Sequence, residues 1–463
     1  MDLMVDAKLA APDYQANWRH SMSYLRVAPL TAACLAAFSM SAFAAPLDAA
    51  KVKATVEGQF PAFVQDHKTI TEIESPTGDK AGSRKMAEWL KAKFEPLGYT
   101  VSFRENDSST HVIARKKGEG KQRVLILGHT DTVQPVGSLA KQPYSFDPKT
   151  GIAKGPGVGD SKASVAQLLH FAQSLEKLGY KNYGEMIFYF DGEEEVGSDL
   201  EEQLLEELSK QADLTLSVDT SRPDWGLTTQ RKWSANYDLK VHGVTGHAGN
   251  APQSSASATV ELANQITRIM KLASPLPKDP AQFSAEGLKK RGLSDHGQYI
   301  PEVTINFGVV ETGNKKRNSV PADALAKFEV RAYDPALMQK LDSAIKKIAA
   351  TPSVGGTRIE LKGPFSTLPA MAKTPQAARM VESYKNIIKQ QYGAKVVEWS
   401  GGGVTIGNFT SKHIPTIDGL GVETDYEHDL NKETADLNTF APRTVGMILL
   451  LDDVANNGLA AKK

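Results

Sequence analysis

Residues 123–133 read RVLILGHTDTV. Val124 to Leu127 form a continuous apolar run rather than an alternating one, which is the pattern of a strand buried on both faces of a sheet. Directly after it come Gly128, His129, Thr130 and Asp131. Open α/β sheets gather their ligands just beyond the carboxyl ends of such strands. The same grammar recurs twice. Met186 to Phe190 is a second apolar run, followed by Asp191, Gly192 and three glutamates, Glu193, Glu194 and Glu195; Leu214 to Val218 is a third, followed by Asp219.

Between these runs the spacing predicts helices. Residues 81–98 alternate charged and apolar residues at helical spacing and stop at Pro96 and Gly98. Residues 163–178 set Val165, Leu168, Leu169, Ala172 and Leu175 on one stripe and close at Gly179. Strands alternating with helices imply an α/β layer structure. After about Lys232 the texture changes. Residues 235–243 (ANYDLKVHG) and 303–310 (VTINFGVV) alternate as half-buried antiparallel strands do. A helix near 257–272, a Pro/Lys/Gly-rich loop near 275–301, a strand at 325–333, a helix near 335–350 and a short strand at 357–361 complete a smaller α+β unit. Helix 374–392 and the strand-like 416–420 return to the larger one. The expected division is 45–234 and 363–463 for the larger domain, with 235–362 inserted between.

Composition narrows the function. The chain has 463 residues, and Lys+Arg and Asp+Glu each number 54, so no global field favours nucleic acid or an anionic membrane. Cys34 is the sole cysteine, so an intrachain disulfide framework and any metal site built on several thiolates are excluded. From Met22 the sequence runs MSYLRVAPLTAACLAAFSMSAFAAP: a basic residue, an apolar stretch, then Ala42-Phe43-Ala44. That is the layout of a secretory signal peptide cleaved after Ala44, with residues 1–21 as an upstream extension. The stretch is shorter than a membrane span needs, so the expected location is periplasmic or secreted.

The chemistry-bearing residues form one set. His129 and His428 (in Glu427-His428-Asp429) join Asp131, the glutamate run, Asp219, and Asp160, which ends the turn Gly155-Pro156-Gly157-Val158-Gly159. Imidazole and carboxylate without thiolate are ligands for zinc or a similar divalent ion. The glycine turn has neither phosphate-loop spacing, so a nucleotide site is rejected. A carboxylate two residues after a histidine suits a group that orients the imidazole. Three adjacent glutamates would repel one another unless cations sit among them.

In order, GHTDTV at 128–133, GPGVGDSKAS at 155–164, EEEVGS at 193–198, Asp219 and His428 resemble the zinc metallopeptidase family of glutamate carboxypeptidase, acetylornithine deacetylase and succinyl-diaminopimelate desuccinylase. The likeness runs from about residue 60 to the C-terminus and is nearest to exported glutamate carboxypeptidases. It implies a zinc-exopeptidase-like catalytic domain, with a mixed sheet between helices, and an inserted lid and dimerisation domain. It implies two Zn2+ per chain, with Co2+ or Mn2+ as alternatives. His129 and Asp219 would hold one ion, Glu195 and His428 the other, and Asp160 would bridge them. Glu194 matches the general base, and Asp131 the carboxylate behind the first histidine. Glu193, where the family usually has Asp, reads as a solvated or capping residue. GVTGHAG at 243–249 is similar to a lid motif whose histidine, here His247, reaches a partner's active site. Asn318, Arg331, Gly402 and Gly403 fall where the family contacts substrate.

Two departures stand out. The aspartate expected after the glycine run 401–403 is absent, and Asp219 replaces the glutamate usual in carboxypeptidases. The resemblance therefore implies hydrolysis of an amide bond beside a free carboxylate, such as a C-terminal glutamate, in a small peptide or N-acyl amino acid. An aminopeptidase, dipeptidase or N-acyl amino acid deacylase is the alternative. A non-catalytic binding protein fits poorly, because every ligand and the base are present. A homodimer through the inserted domain is expected, with no nucleic acid and no membrane span.

Overall fold

The computed structural model describes residues 46–222, 225–276, 300–313 and 316–459. The expected signal peptide, Cys34 and most of the loop at 275–301 lie outside the described residues. Strand Arg123–His129 is central in a six-stranded mixed sheet. It runs parallel to Glu185–Asp191 on one side and to Leu214–Ser217 on the other. Thr416–Ile417 extends the parallel side, while Thr110–Lys117 and Thr100–Glu105 add antiparallel strands beyond Glu185–Asp191.

The apolar run is explained by what covers each face. Val124 and Ile126, with Met186, Phe188 and Phe190, pack into the larger core beneath the helices Ala49–Glu57, Lys80–Phe94, Ser164–Leu178 and Phe440–Asn457. Leu125, Leu127, Ile187 and Tyr189 point the opposite way, onto Leu204, Leu205 and Leu208 of helix Asp199–Ser209 and onto Ile406. Side chains alternate across a strand, so a run apolar at every position is what two covered faces require. The three parallel strands end at His129, Asp191 and Ser217 on the same edge, which assembles the site.

A second, four-stranded antiparallel sheet has the order Val303–Thr312, Asp323–Ala332, Trp233–His242, Arg358–Leu368. Ala235, Tyr237, Leu239 and Val241 face helices Ala258–Met270 and Pro335–Ala349 and form a separate apolar core with Leu262, Phe328 and Ile345. The alternation in ANYDLKVHG is this one-sided burial. The last strand continues to Leu368, past the expected end at 361, because it crosses Gly363 and Phe365 through two register shifts. Among the described residues no helix is long and apolar enough to cross a membrane.

Candidate active site

His129 is the last residue of the central strand, and both it and Asp131 are buried. Asp131 is the hub of the first turn. Its Oδ1 lies 3.3 Å from His129 Nδ1 and accepts the Glu194 N–H at 3.2 Å. Its Oδ2 accepts the Glu195 N–H at 3.2 Å and the Thr77 hydroxyl at 2.7 Å. One carboxylate thus sets the imidazole and the backbone of the glutamate run.

Asp160 stands between the histidines. Its Oδ1 is 3.0 Å from His129 Nε2, and its Oδ2 is 3.3 Å from His428 Nε2. Asp219 Oδ1 lies 3.7 Å from His129 Nε2, and Glu195 Oε2 lies 3.3 Å from His428 Nε2. The five side chains proposed as ligands therefore converge from turns far apart in the chain. His428 is half-exposed and occupies the left-handed region at φ 71°.

The glycine turn that delivers Asp160 is held by a residue that sequence reading missed. Buried Glu433 accepts the N–H groups of Gly157 at 3.2 Å, Gly159 at 2.9 Å and Asp160 at 3.0 Å. Burial pushes its carboxyl up to about 7 despite those bonds. Gly157 is required twice over: its φ is +65°, and a Cβ there would lie 2.3 Å from Thr132 Cγ2. Arg231 was also missed. It is buried, its Nε donates to Asp418, and its Nη2 lies 3.6 Å from Asp219 Oδ2. Neither residue follows an apolar run in sequence, so no local signal marks them.

Glu193 is not a solvated residue. It is 3% exposed, accepts from Asn106 Nδ2 at 2.7 Å and from the Ser108 hydroxyl, and lies 3.5 Å from His111 Nε2. The partners come from the hairpin at 100–117, which the sequence reading did not identify. Although burial opposes it, hydrogen bonds from Ser108 and Asn106 hold the Glu193 carboxyl below its usual range.

A cleft of about 570 Å³ opens over the cluster. It is lined by Asp160, Glu194, Glu195, Asp219 and His428, by Arg222, Arg231, Arg331 and Gly403, and by Glu201, Glu202 and Phe409. Arg331 is already engaged: Nη1 donates to Gly402 O at 3.1 Å, and Nε and Nη2 donate to Glu329 at 3.2 and 3.0 Å. His247 and Asn318 are not brought to the cleft of their own chain. They meet at a two-stranded antiparallel sheet, where Ala248 N–H donates to Asn318 O at 3.0 Å, and the exposed His247 accepts from Gly249 and Asn250.

The electrostatics are those of a site built around cations. Burial, then the nearby Asp219, Glu195 and Asp160, push the Glu194 carboxyl well above its usual range, with His129 opposing. Burial and Asp160 push Glu195 up to about 8. The hydrogen bond to Asp160, and then Glu195, raise His428 to about 9 against its partial burial. Glu195 Oε1 is buried and has no hydrogen-bond partner. Crowded carboxylates, two imidazoles and an orphaned carboxylate oxygen fit divalent ions of the zinc class. His129, Asp160 and Glu195 already offer three ligand atoms within 4.8 Å of one another.

Comparison with known proteins agrees with this chemistry. Carboxypeptidase G2 of Pseudomonas sp. (strain RS-16) is 28% identical over 292 residues, covering 62% of this chain and 63% of that protein; the chain thus spans just under two thirds of that relative's length. A succinyl-diaminopimelate desuccinylase of Afipia carboxidovorans is 26% identical over 386 residues, covering 80% of this chain and 94% of the relative. Among solved structures, aminopeptidase PepT of Bacillus cereus ATCC 10987 shares the fold with a TM-score of 0.66 at 19% identity, over 86% of this chain and 99% of that one. Residues 125–452, well over half of the sequence, match a family whose members are metal-dependent hydrolases of peptide and amide bonds, and the chain belongs to it: peptidase family M20/M25/M40.

Proposed function

We propose that this protein is a di-metal exopeptidase or amidohydrolase that cleaves an amide bond next to a free carboxylate, of the kind presented by a C-terminal glutamate. The observation that carries the reading is the split engagement of Asp160, one oxygen toward His129 and the other toward His428. Two zinc ions fit this division, His129 and Asp219 serving one, Glu195 and His428 the other, and Asp160 both. Ions bound there would supply Lewis-acid polarisation of the amide carbonyl and acidify water. The chain's own residues do the rest. Glu194, which lines the cleft, takes a proton from the attacking water and delivers it to the leaving nitrogen. Asp131 keeps His129 and the Glu194 backbone in register. The arginines that line the cleft attract the substrate carboxylate, for which a planar guanidinium is suited.

The relative named carboxypeptidase G2 supports the carboxylate-side reading. Asp219 favours an aminopeptidase or dipeptidase as the second reading. N-blocked and unblocked dipeptides separate them: cleavage of unblocked substrates alone would reject the first. Metal analysis tests the site itself, with two ions per chain expected. Glu194→Gln should abolish turnover and keep both, whereas His129→Ala should lose metal as well. Equal metal loss in the two variants would overturn the assignment of base and ligand. We further infer export with removal of residues 1–44, checked by the N-terminal mass of the secreted protein. Homodimerisation through the smaller unit, with His247 serving the partner's cleft, belongs to the same reading.

A further inference from the structure

Two residues that line the cleft, Glu202 and Phe409, are shared with a neighbouring cavity. This second cavity, of about 830 Å³, is lined in part by helix Ile406–Ser411 and the start of helix Asp199–Ser209. Its apolar lining comes from Trp233, Pro335, Pro369, Ala370, Ala372 and Phe409. Its charged rim is Asp199, Glu202 and Glu206, with Lys412. Glu206 is spoken for by Lys210 at 2.7 Å and by His413. Asp199 and Glu202 are exposed, and their carboxylates face solvent with no hydrogen-bond or ion-pair partner among the described residues. Acidic residues in a first helical turn suit the helix dipole. That accounts for their sign, but not for the apolar surface beside them, which shares Glu202 and Phe409 with the catalytic cleft.

We propose that this cavity is an extended substrate subsite that takes the amino-side portion of the substrate, an aromatic or aliphatic group bearing a positive charge. The assignment rests on the carboxylate-side reading of the cleft. The arginines line the cleft and the acidic pair lines the neighbouring cavity, so the two together are bipolar. A substrate whose carboxylate lies at the arginines and whose acyl part passes Phe409 meets apolar walls and then two unpaired carboxylates. Trp and Phe rings supply flat apolar surface and attract cations through their π faces. A short neutral acyl group would leave the chamber to water.

Three substrates with a common glutamate leaving group test this: N-(4-aminomethylbenzoyl)-glutamate, N-(4-carboxybenzoyl)-glutamate and N-acetyl-glutamate. In the wild type, kcat/KM should favour the aminomethyl compound over its carboxy isostere by about tenfold or more. In a combined Asp199→Asn, Glu202→Gln variant that ratio should fall towards one, and Phe409→Ala should remove the advantage of both aromatic compounds over the acetyl one. A ratio unchanged by the charge variant, or a preference for the carboxy compound, would overturn the subsite. Equilibrium binding of 4-aminomethylbenzoate, read from Trp233 fluorescence, separates the two layers of the argument. Binding that is lost in the charge variant while none of the three amides is hydrolysed would sink the carboxylate-side reading and leave the subsite standing. Hydrolysis of all three without fragment binding would do the reverse.

Discussion

Asp131 touches neither ion in the proposed arrangement, yet more of the site depends on it than on any single ligand. It faces His129 Nδ1 and accepts the N–H groups of both Glu194 and Glu195. Asn in its place keeps the shape but turns one acceptor into a donor facing those N–H groups. Asp131→Asn should therefore weaken zinc binding by about 10–100-fold, read by competition with a chromophoric chelator. It should lower kcat even at saturating zinc, because Glu194 is displaced. Unchanged zinc affinity would show that His129 needs no such partner. At this scale the sequence was informative wherever a polar residue directly followed a buried strand, as with His129, Glu194, Glu195 and Asp219. It was silent about Glu433, which acts on backbone N–H groups 273 to 276 residues away, and about Arg231, whose partner Asp418 is 187 residues distant. It misread Glu193 because its partners lie on an unrecognised hairpin.

At the scale of elements, the turn at 155–160 and helix Phe60–Thr71 are fastened to each other by one histidine. His67 is fully buried; its Nε2 lies 2.8 Å from Val158 O, and its Nδ1 lies 3.3 Å from the Tyr144 hydroxyl. Both nitrogens are thus engaged by the neutral ring. Burial, aided by the Lys162 charge and opposed by the Val158 carbonyl, lowers its pKa to about 4. The unfolded chain therefore binds more protons than the folded one between about pH 6.5 and 4. Stability from this group is complete above the upper limit and falls by about 1.4 kcal/mol per pH unit as pH drops through the window. Urea unfolding from pH 7 to 4.5 should show that excess slope in the wild type relative to His67→Gln; parallel curves would refute it. Position 157 of the turn has no room for a side chain. Gly157→Ala meets both a left-handed φ and Thr132, so it should displace Asp160 and weaken metal binding at least about tenfold. Gly179→Ala has a similar φ of +64° but open space, and should cost only about 1 kcal/mol in thermal unfolding with metal affinity unchanged. Equal metal affinity in the two variants would show that the turn does not position Asp160. The buried strands and amphipathic helices were legible as elements because their periodicity reports which faces are covered. The hairpin at 100–117 was not, since TVSFRE and THVIARKK mix charge with apolar residues on a sheet margin.

At the scale of the whole molecule, two apolar cores built on sheets of different strand direction were foreshadowed by the change in periodicity after Lys232. A partner chain leaves no such trace, because surface residues that meet another copy are patterned like any half-exposed strand. The place of His247 is nonetheless telling: it is exposed on a small two-stranded sheet beside Asn318 and lines no part of its own chain's cleft. If it serves a two-fold partner, two inactive variants must complement each other. A His247→Ala chain retains an intact metal cluster and base, and a Glu194→Gln chain retains an intact His247. Each homodimer should be inactive. In the mixed dimer, the cleft of the His247→Ala chain receives histidine from its partner and regains every group, while the other cleft lacks its base. Random reassortment makes about half of the dimers mixed, with one working cleft in two, so about a quarter of wild-type activity should return on mixing after dissociation. Sedimentation velocity on the same samples establishes that dimers are present. Dimers that regain nothing on mixing would place the histidine's action within its own chain, and a fully active monomer would remove the need for a partner altogether.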